Sequence, residues 1–141
     1  MITALAHVAF ASHDLERSLA FYGRLGVHEA FRLHNTDGSL MLVYLHVCGN
    51  QFIEVFPDGP GPDPAKRSSF LHLCLQVDDL HHAVKELAQA GVIIHHGPSL
   101  GLDHNWQAWV KDPDGNDIEL MQLDESSPQR RTARGEKPEI N

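Results

Sequence analysis

Two histidines and two glutamates recur in this sequence at one fixed spacing. The interval from His7 to His72 is the same as the interval from Glu54 to Glu119. Each glutamate interrupts a β-prone run of mostly apolar residues, where an unpaired carboxylate would be costly to bury. Two imidazoles and two carboxylates suit a borderline divalent cation, so the four residues predict a metal site with coordination positions left for water or substrate.

A site of this kind could move a proton. A divalent metal polarises a carbonyl and stabilises the enediolate that forms when the adjacent carbon is deprotonated. A carboxylate at the edge of the metal, Glu119 or Glu54, can take that proton and return it one carbon away. The alternative for each residue alone is a core-facing His or Glu satisfied by polar neighbours. A single histidine would favour that alternative in a chain with eleven histidines, but the spacing that all four residues share favours the metal.

The repeat interval that separates His7 from His72 extends beyond the candidate ligands and indicates a tandem duplication. Module 1 covers residues 1–56 and module 2 covers residues 68–123. Further identities fall at matching points of the two modules: Asp14 with Asp79, Leu15 with Leu80, Gly26 with Gly91, Val27 with Val92, and Ile53 with Ile118.

Module 1 is predicted to fold as β-α-β-β-β. Its helix starts after Asp14, whose carboxylate can accept from the free first-turn N–H groups, and ends at Gly26. The buried stripe of this helix is Leu15, Leu19 and Tyr22. Strands are predicted at 3–11, 29–33, 40–47 and 51–56.

Module 2 is predicted to repeat this order. Its helix is capped by Asp78 or Asp79, carries the stripe Leu80, Val84 and Leu87, and ends at Gly91. Strands are predicted at 70–77 and 92–95, followed by a loop at 97–101. A hairpin of strands 106–111 and 117–123 closes the module around the turn Asp112-Pro113-Asp114-Gly115.

The modules are predicted to form one domain over residues 1–123, with a cupped mixed sheet of α+β class around the metal. Residues 57–67 hold four prolines and two glycines and are predicted to be an extended linker. Residues 124–141 are polar and charged without periodicity, which predicts a disordered tail.

Charge and composition disfavour several classes of partner. A net charge of −8 disfavours nucleic acid and anionic membrane surfaces. No apolar run is long enough to span a bilayer, and no export leader is evident, so we expect a cytoplasmic protein. Cys48 and Cys74 are therefore expected to be reduced thiols.

Several segments resemble the vicinal oxygen chelate superfamily, which includes glyoxalase I, methylmalonyl-CoA epimerase, extradiol dioxygenases and bleomycin-resistance proteins. These segments are Asp14-Leu-Glu-Arg-Ser-Leu-Ala-Phe-Tyr22, Leu25-Gly26 and Asp112-Pro-Asp-Gly-Asn-Asp-Ile-Glu119. The resemblance spans residues 3–123. It implies paired βαβββ modules, and a homodimer whose sites draw on both chains.

Within that superfamily the order His7, Glu54, His72 and Glu119 is similar to bacterial glyoxalase I. The resemblance implies a metalloenzyme that isomerises a hemithioacetal to a 2-hydroxyacyl thioester. All four residues would be ligands of Ni²⁺, Co²⁺ or Zn²⁺, with Mn²⁺ or Fe²⁺ as alternatives, and Glu54 and Glu119 would also shuttle protons. Ala11 stands where bacterial glyoxalase I has an arginine that contacts glutathione, and the segment from Phe21 to Gly26 is one residue shorter than usual. The thiol therefore stays open, with Lys111 or Arg67 as replacement charges.

Two other functions stay open from the sequence. One is another enzyme of the superfamily, an epimerase or a ring-cleaving dioxygenase, acting on a small molecule with adjacent oxygens. The other is a metal-free binding or resistance protein, although a simple binder has no need of four ligands. Candidate substrate contacts are Phe52, Phe56, Cys74, His104, Trp106 and Met121, together with Ala9.

Overall fold

A computed structural model describes residues 6–63 and 70–137 of the chain. Its elements in chain order are β1 (His7–Ala11), α1 (Leu15–Arg24), β2 (His28–His34), β3 (Leu40–Cys48), β4 (Gln51–Phe56), β5 (His72–Gln76), α2 (Leu80–Gln89), β6 (His96–Leu100), β7 (Trp106–Lys111), β8 (Asp117–Gln122) and α3 (Pro128–Ala133). They form two compact units. Unit 1 is Met1–Ser68 with Asp112–Gly115, and unit 2 is Ser69–Lys111 with Asn116–Asn141.

Unit 1 is a four-stranded sheet in the order β1-β4-β3-β2, with α1 on one side. β1 runs parallel to β4, and the other neighbours are antiparallel. The cap of α1 is Asp14, which accepts from the Arg17 backbone N–H as predicted. Alternate residues of the central strands are fully or almost fully buried and form the core: Val43, Leu45, Ile53 and Val55.

Unit 2 repeats this architecture with the strand order β5-β8-β7-β6. Of the two predicted cap residues of α2, Asp79 is the cap, since its carboxylate accepts from the His82 backbone N–H. The core again comes from alternate residues of the central strands and from the helix: Leu80, Ala108, Val110, Ile118 and Leu120. The two sheets confirm the predicted α+β class.

The repeat holds at the level of strand register. Three cross-strand pairs of unit 1 have counterparts one repeat interval later in unit 2: His7–Phe52 matches His72–Asp117, Tyr44–Glu54 matches Trp109–Glu119, and Phe31–Tyr44 matches His96–Trp109. A shift of one residue would turn each side chain to the other side of the sheet. The duplication therefore places each His and Glu on equivalent positions of equivalent strands.

The Asp112–Gly115 turn joins β7 to β8 but belongs to unit 1 by its contacts. Asp112 accepts a hydrogen bond from the buried Tyr22 hydroxyl (3.0 Å). Asp114 accepts from the His13 backbone N–H (2.8 Å) and the Ser18 hydroxyl (3.1 Å). Gly115 has a φ of +83°, as the turn prediction requires. The two acidic residues of the turn thus hold the first helix.

The structure corrects the predicted edge of unit 2. A strand was expected at 92–95 and a loop at 97–101, but the strand is His96–Leu100, paired antiparallel to β7. Gly97 and Pro98 indicated a loop because proline has no N–H to donate. An edge strand tolerates such a residue, because one of its sides has no strand neighbour. Val92 instead packs into the core.

The structure also differs from the prediction of a disordered tail over residues 124–137, whereas residues 138–141 of that predicted tail lie outside the described residues. Helix α3 begins after Ser127, whose hydroxyl accepts from the Arg130 backbone N–H. The fully buried Asn105 accepts from the Asp124 backbone N–H (2.9 Å) and donates to Gln129. A buried amide that satisfies this segment gives it a fixed position despite its polar composition. The described part of the chain contains no helix long and apolar enough to cross a bilayer.

Candidate active site

The first predicted ligand pair meets in unit 1. His7 opens β1, and Glu54 lies on the adjacent β4. His7 Nε2 and Glu54 Oε2 are 3.5 Å apart, and the Glu54 side chain is only 11% exposed. Alternation points both side chains away from α1, on the side of the sheet that we call the ligand face of the unit. The pair thus combines a nearly buried carboxylate with an accessible imidazole.

Tyr44 completes the surroundings of the first pair. It lies directly opposite Glu54 on β3 and donates its hydroxyl proton to the Glu54 carboxylate. This hydrogen bond raises the pKa of the Tyr44 hydroxyl, because ionisation would place two negative charges side by side. The Tyr44 ring also meets the His7 ring edge-on at 6.3 Å. Tyr44 therefore fixes the orientation of both members of the pair.

The second predicted pair meets in unit 2 in the same way. His72 Nε2 lies 3.2 Å from Glu119 Oε2, and the Glu119 side chain is 7% exposed. Trp109 occupies the position equivalent to Tyr44, opposite Glu119, and its ring meets His72 edge-on at 4.9 Å. An indole at this position gives packing but has no hydroxyl to donate to the carboxylate.

Cys74 is the side-chain donor beside Glu119. It lies opposite Glu119 on β5, and although the residue keeps some exposure, its thiol is partly shielded from solvent. Burial and the Glu119 carboxylate raise the pKa of the thiol to about 12. A thiol held neutral in this way is a weak hydrogen-bond donor and a poor nucleophile. Glu119 therefore has a weaker side-chain donor than Glu54.

The geometry of both pairs fits a divalent metal. Metal–ligand bonds of about 2.1 Å place two donor atoms on one ion about 3.0 Å apart at a right angle and about 3.4 Å apart at the tetrahedral angle. The observed 3.5 Å for the His7–Glu54 pair and 3.2 Å for the His72–Glu119 pair are close to this range. One nitrogen and one oxygen per pair also match the preference of borderline cations.

The structure brings the predicted ligands together as one pair in each unit. Within residues 6–63 and 70–137, no group of three or more His, Cys, Asp or Glu side chains that could hold a metal is assembled. A pair alone leaves an ion with most of its coordination positions open.

Three of the predicted substrate contacts lie on ligand faces close to the pairs. Phe52 is the strand partner of His7, and Cys74 is the partner of Glu119. Met121 follows two residues after Glu119 on the same face. Ala9 and Phe56 share the ligand face of unit 1 by the same alternation. Of the replacement charges, Lys111 forms an ion pair with Asp117, and Arg67 lies outside the described residues.

Two predicted substrate contacts lie away from the ligand faces near the pairs. Trp106 lies on the opposite face of β7 from Glu119, where it packs edge-on against His81 of α2 at 5.0 Å. His104 lies in the turn before β7, with a φ of +67°, and not on the strand. Side chains alternate between the two faces of a strand, and Trp109, three residues after Trp106, is the tryptophan that lies opposite Glu119.

Tyr44 and Trp109 are site residues that were not predicted from the sequence. The signal was available, since the repeat interval of the two His–Glu pairs also aligns these two aromatic residues. A hairpin turning at Gly49-Asn50 also places Tyr44 opposite Glu54, as observed. Phe31 and His46, which share the ligand face with Tyr44, could be found by the same argument.

Comparison with known proteins identifies the family of this fold. A sequence model described as the Glyoxalase/Bleomycin resistance protein/Dioxygenase superfamily matches residues 4–120. The chain belongs to this superfamily. The matched span includes both His–Glu pairs and ends before α3, so the C-terminal helix lies outside the shared domain.

Relatives within the superfamily differ in function. The chain is 29% identical over 125 residues to a probable lactoylglutathione lyase of Vibrio cholerae, covering 84% of this chain and 89% of that protein. It is 30% identical over 111 residues to a mitochondrial methylmalonyl-CoA epimerase of Dictyostelium discoideum, covering 71% of this chain and 65% of that protein. It is 30% identical over 118 residues to a bleomycin resistance protein of Klebsiella pneumoniae, covering 79% and 86%.

Solved structures of the superfamily share the fold. A lactoylglutathione lyase from Agrobacterium tumefaciens superposes with a TM-score of 0.65 at 22% identity, covering 86% of this chain and 94% of that chain. The superfamily thus unites enzymes and resistance proteins on one architecture. The reaction of a member depends on its site residues and not on its fold.

Proposed function

We propose that this protein is a divalent-metal-dependent isomerase of the glyoxalase type, which converts a hemithioacetal to a 2-hydroxyacyl thioester. Its proposed metal ligands are His7, Glu54, His72 and Glu119. The observation that supports this proposal is the recurrence of the His–Glu pair at the same strand register in both units. The relation to a probable lactoylglutathione lyase agrees with it.

The chemistry requires a polarised carbonyl and a base beside it. A bound Ni²⁺, Co²⁺ or Zn²⁺ would polarise the carbonyl and make the neighbouring C–H more acidic. His7 and His72 would each present Nε2 as a neutral donor. Each imidazole is held against an aromatic ring, which keeps its orientation fixed before the substrate arrives.

Glu119 is the better placed of the two carboxylates to take the proton. Glu54 accepts a hydrogen bond from the Tyr44 hydroxyl, which occupies one of the lone-pair positions of that carboxylate. Glu119 has the weaker thiol donor of Cys74 and the Trp109 ring beside it. We therefore assign proton abstraction to Glu119 and proton return to either carboxylate. The substrate would be a small molecule with adjacent oxygens, and the proposed assembly is a homodimer.

The test is elemental analysis of the purified protein followed by a hemithioacetal isomerase assay with several thiols. The wild type is expected to bind Ni²⁺, Co²⁺ or Zn²⁺ and to form a thioester. Glu119→Gln keeps the shape of the side chain and removes the base, so it is expected to lower kcat by about 10²- to 10⁴-fold. Glu86→Gln is the matched control, because Glu86 forms an exposed pair with His82 at 3.2 Å on α2 and lies outside the site.

Two results would contradict this proposal. A wild-type protein that binds metal but isomerises no hemithioacetal with any thiol is not a glyoxalase. Equal activity of Glu119→Gln and Glu86→Gln would remove Glu119 from the chemistry.

A metal-free binding function is the second candidate. The relation to a bleomycin resistance protein and the aromatic side chains of the unit 1 ligand face favour it. A purified protein without any metal, which takes up none on titration, would support binding alone. Iron together with oxygen uptake would instead indicate a dioxygenase.

A further inference from the structure

Four aromatic side chains form a continuous row on the ligand face of unit 1. Phe31 stacks on Tyr44 with ring centroids 4.5 Å apart and planes at 22°. Tyr44 meets Phe52 edge-on at 5.9 Å, and Phe52 in turn meets His46 at 5.2 Å. Tyr44 is the hydrogen-bond partner of Glu54, and Phe52 is the strand partner of His7, so the middle of the row borders the first candidate ligand pair.

A surface cavity of about 500 Å³ lies along this row. Its lining includes the aromatic rings of Phe31 and Phe52, the imidazoles of His28 and His46, and the carboxylate of Glu29. Its size is within the range of small-molecule sites, roughly 300–1,000 Å³. Phe31 is 45% exposed, so its ring is not packed into the core and can contact a ligand.

A β-bulge shapes the wall that carries Phe31. The register between β2 and β3 shifts between Glu29 and Phe31, so Ala30 is an extra residue on β2. Bulges redirect the side chains next to them, and here Phe31 is placed over Tyr44.

The charged group at the edge of the cavity already has a partner. Both Glu29 carboxylate oxygens accept from Arg32, at 2.8 and 2.9 Å. His46 Nε2 lies 3.0 Å from the Gly49 carbonyl oxygen, which fixes a proton on Nε2. What remains for a ligand is mainly aromatic surface with imidazole edges, which suits an uncharged planar ring.

Unit 2 shows that the fold does not require this aromatic lining. The positions equivalent to His46 and Phe52 are Lys111 and Asp117, which form an ion pair on β7 and β8. Phe31 corresponds to His96. Of the four positions of the row, unit 2 keeps a large aromatic ring only at Trp109, the counterpart of Tyr44, and carries polar or charged residues at the other three. This difference indicates that the row of unit 1 serves a ligand and not the sheet.

We infer that this cavity binds an uncharged aromatic group of the substrate, the part of the molecule that does not react. The inference rests on the proposed function for the position of the reacting carbonyl, at the His7–Glu54 pair. It narrows the substrate class to aryl-substituted 2-oxo or 2-hydroxy carbonyl compounds. A phenyl ring placed against Phe31 and Phe52 would extend the row of stacked rings.

The test uses two unreactive ligands that differ only in the aromatic group. Mandelamide and lactamide carry the same 2-hydroxy amide, with phenyl in one and methyl in the other. Binding is measured by calorimetry and by NMR shifts of the aromatic side chains. Wild type is expected to bind mandelamide at least about tenfold more tightly than lactamide, since a buried ring gains both area and stacking.

Phe31→Ala is expected to remove this preference, and Leu33→Ala is the matched control. Both residues are exposed on the edge strand β2, at 45% and 41%, so neither change opens the core. Leu33 does not line the cavity. Mandelamide binding that is no tighter than lactamide binding, or an equal loss in both variants, would overturn the inference.

The same variants separate this inference from the proposed function. Isomerase activity on phenylglyoxal and methylglyoxal hemithioacetals should favour the phenyl substrate in wild type and lose that preference in Phe31→Ala. Isomerase activity without any phenyl preference would contradict the aromatic subsite and support the proposed isomerase function. Tight mandelamide binding without any isomerase activity would support the aromatic subsite and contradict the proposed isomerase function.

Discussion

The ligand faces of the two units carry the same His–Glu pair in different surroundings. In unit 1 the carboxylate accepts from a tyrosine and borders a row of aromatic rings. In unit 2 the equivalent positions hold Trp109, a thiol and the Lys111–Asp117 ion pair. The strand register fixes where the pair lies, whereas the neighbouring positions are free to differ. A duplicated scaffold can therefore present identical donor atoms in different hydrogen-bonding and packing surroundings.

The largest expected effect comes from removing each carboxylate in turn. Glu119→Gln is expected to lower kcat by about 10²- to 10⁴-fold, the usual contribution of a general base. Glu54→Gln should cost less in kcat and act mainly on metal binding, because Tyr44 already engages that carboxylate. Steady-state kinetics at saturating metal separates the two. Equal kcat losses would show that the two pairs are chemically equivalent.

The next effect tests the partner of each carboxylate. Tyr44→Phe keeps the ring and removes the hydroxyl donor to Glu54, so metal affinity is expected to fall by about 10-fold, within the usual range for groups that orient ligands. Trp109→Phe at the equivalent position should change it by less, because the indole does not donate to Glu119. Competition with a fluorescent chelator measures both. A larger loss of metal affinity in Trp109→Phe than in Tyr44→Phe would contradict this expectation.

One buried position that the two helices share differs in its hydrogen bonding, which predicts a change in stability. Tyr22 of α1 corresponds to Leu87 of α2, and only Tyr22 donates to a carboxylate, that of Asp112. Tyr22→Phe is expected to lower the free energy of unfolding by about 1–3 kcal/mol through the lost buried hydrogen bond. Denaturant unfolding measures this loss, with Leu87→Ile as a buried control of similar volume.

Tyr22 also predicts a dependence of stability on alkaline pH. Burial, followed by the Asp112 carboxylate, raises the pKa of Tyr22 above its ordinary value of 10.0. Above that pH the unfolded chain releases the phenolic proton while the folded chain retains it, so stability falls as pH rises. This part of the alkaline loss should be absent in Tyr22→Phe. Identical pH profiles for the two proteins would contradict the assignment.

The smallest expected effect concerns the ion pair of unit 2. The side chains of Lys111 and Asp117 are 43% and 44% exposed, and exposed pairs contribute little because water and salt screen them. Lys111→Met is expected to change stability by at most about 1 kcal/mol. A larger loss in thermal unfolding would mean that charge is required on this face, contrary to the comparison with His46 of unit 1.

Local chemistry and periodicity explain what the sequence could predict. Asp14 and Asp79 were predictable as caps because helix starts need side-chain acceptors, and the hairpin was predictable from its turn. The repeat located the His–Glu pairs without any structural information. The edge strand with Pro98 was not predictable in the same way, because its residues read as a loop until a neighbouring strand supplies the hydrogen bonds.

Other features depended on contacts between distant segments. The position of α3 depends on Asn105, whose amide reaches Asp124 and Gln129 from a turn 19 and 24 residues earlier. The choice between Trp106 and Trp109 depended on the phase of one strand, and both residues suit a strand equally well. Composition alone does not show which residues of a strand share a face, but the repeat alignment of Trp109 with Tyr44 would have shown it.

The turn at Asp112–Gly115 is supplied to the first helix by the second half of the sequence. Residues 1–56 alone would carry the Tyr22 and Ser18 hydroxyls but no acidic turn to receive them. The corresponding turn of the first module, Val47-Cys48-Gly49-Asn50, has no carboxylate to offer. A protein cut after module 1 would therefore lack both carboxylate acceptors, and its first helix would lose two hydrogen bonds that the full chain makes.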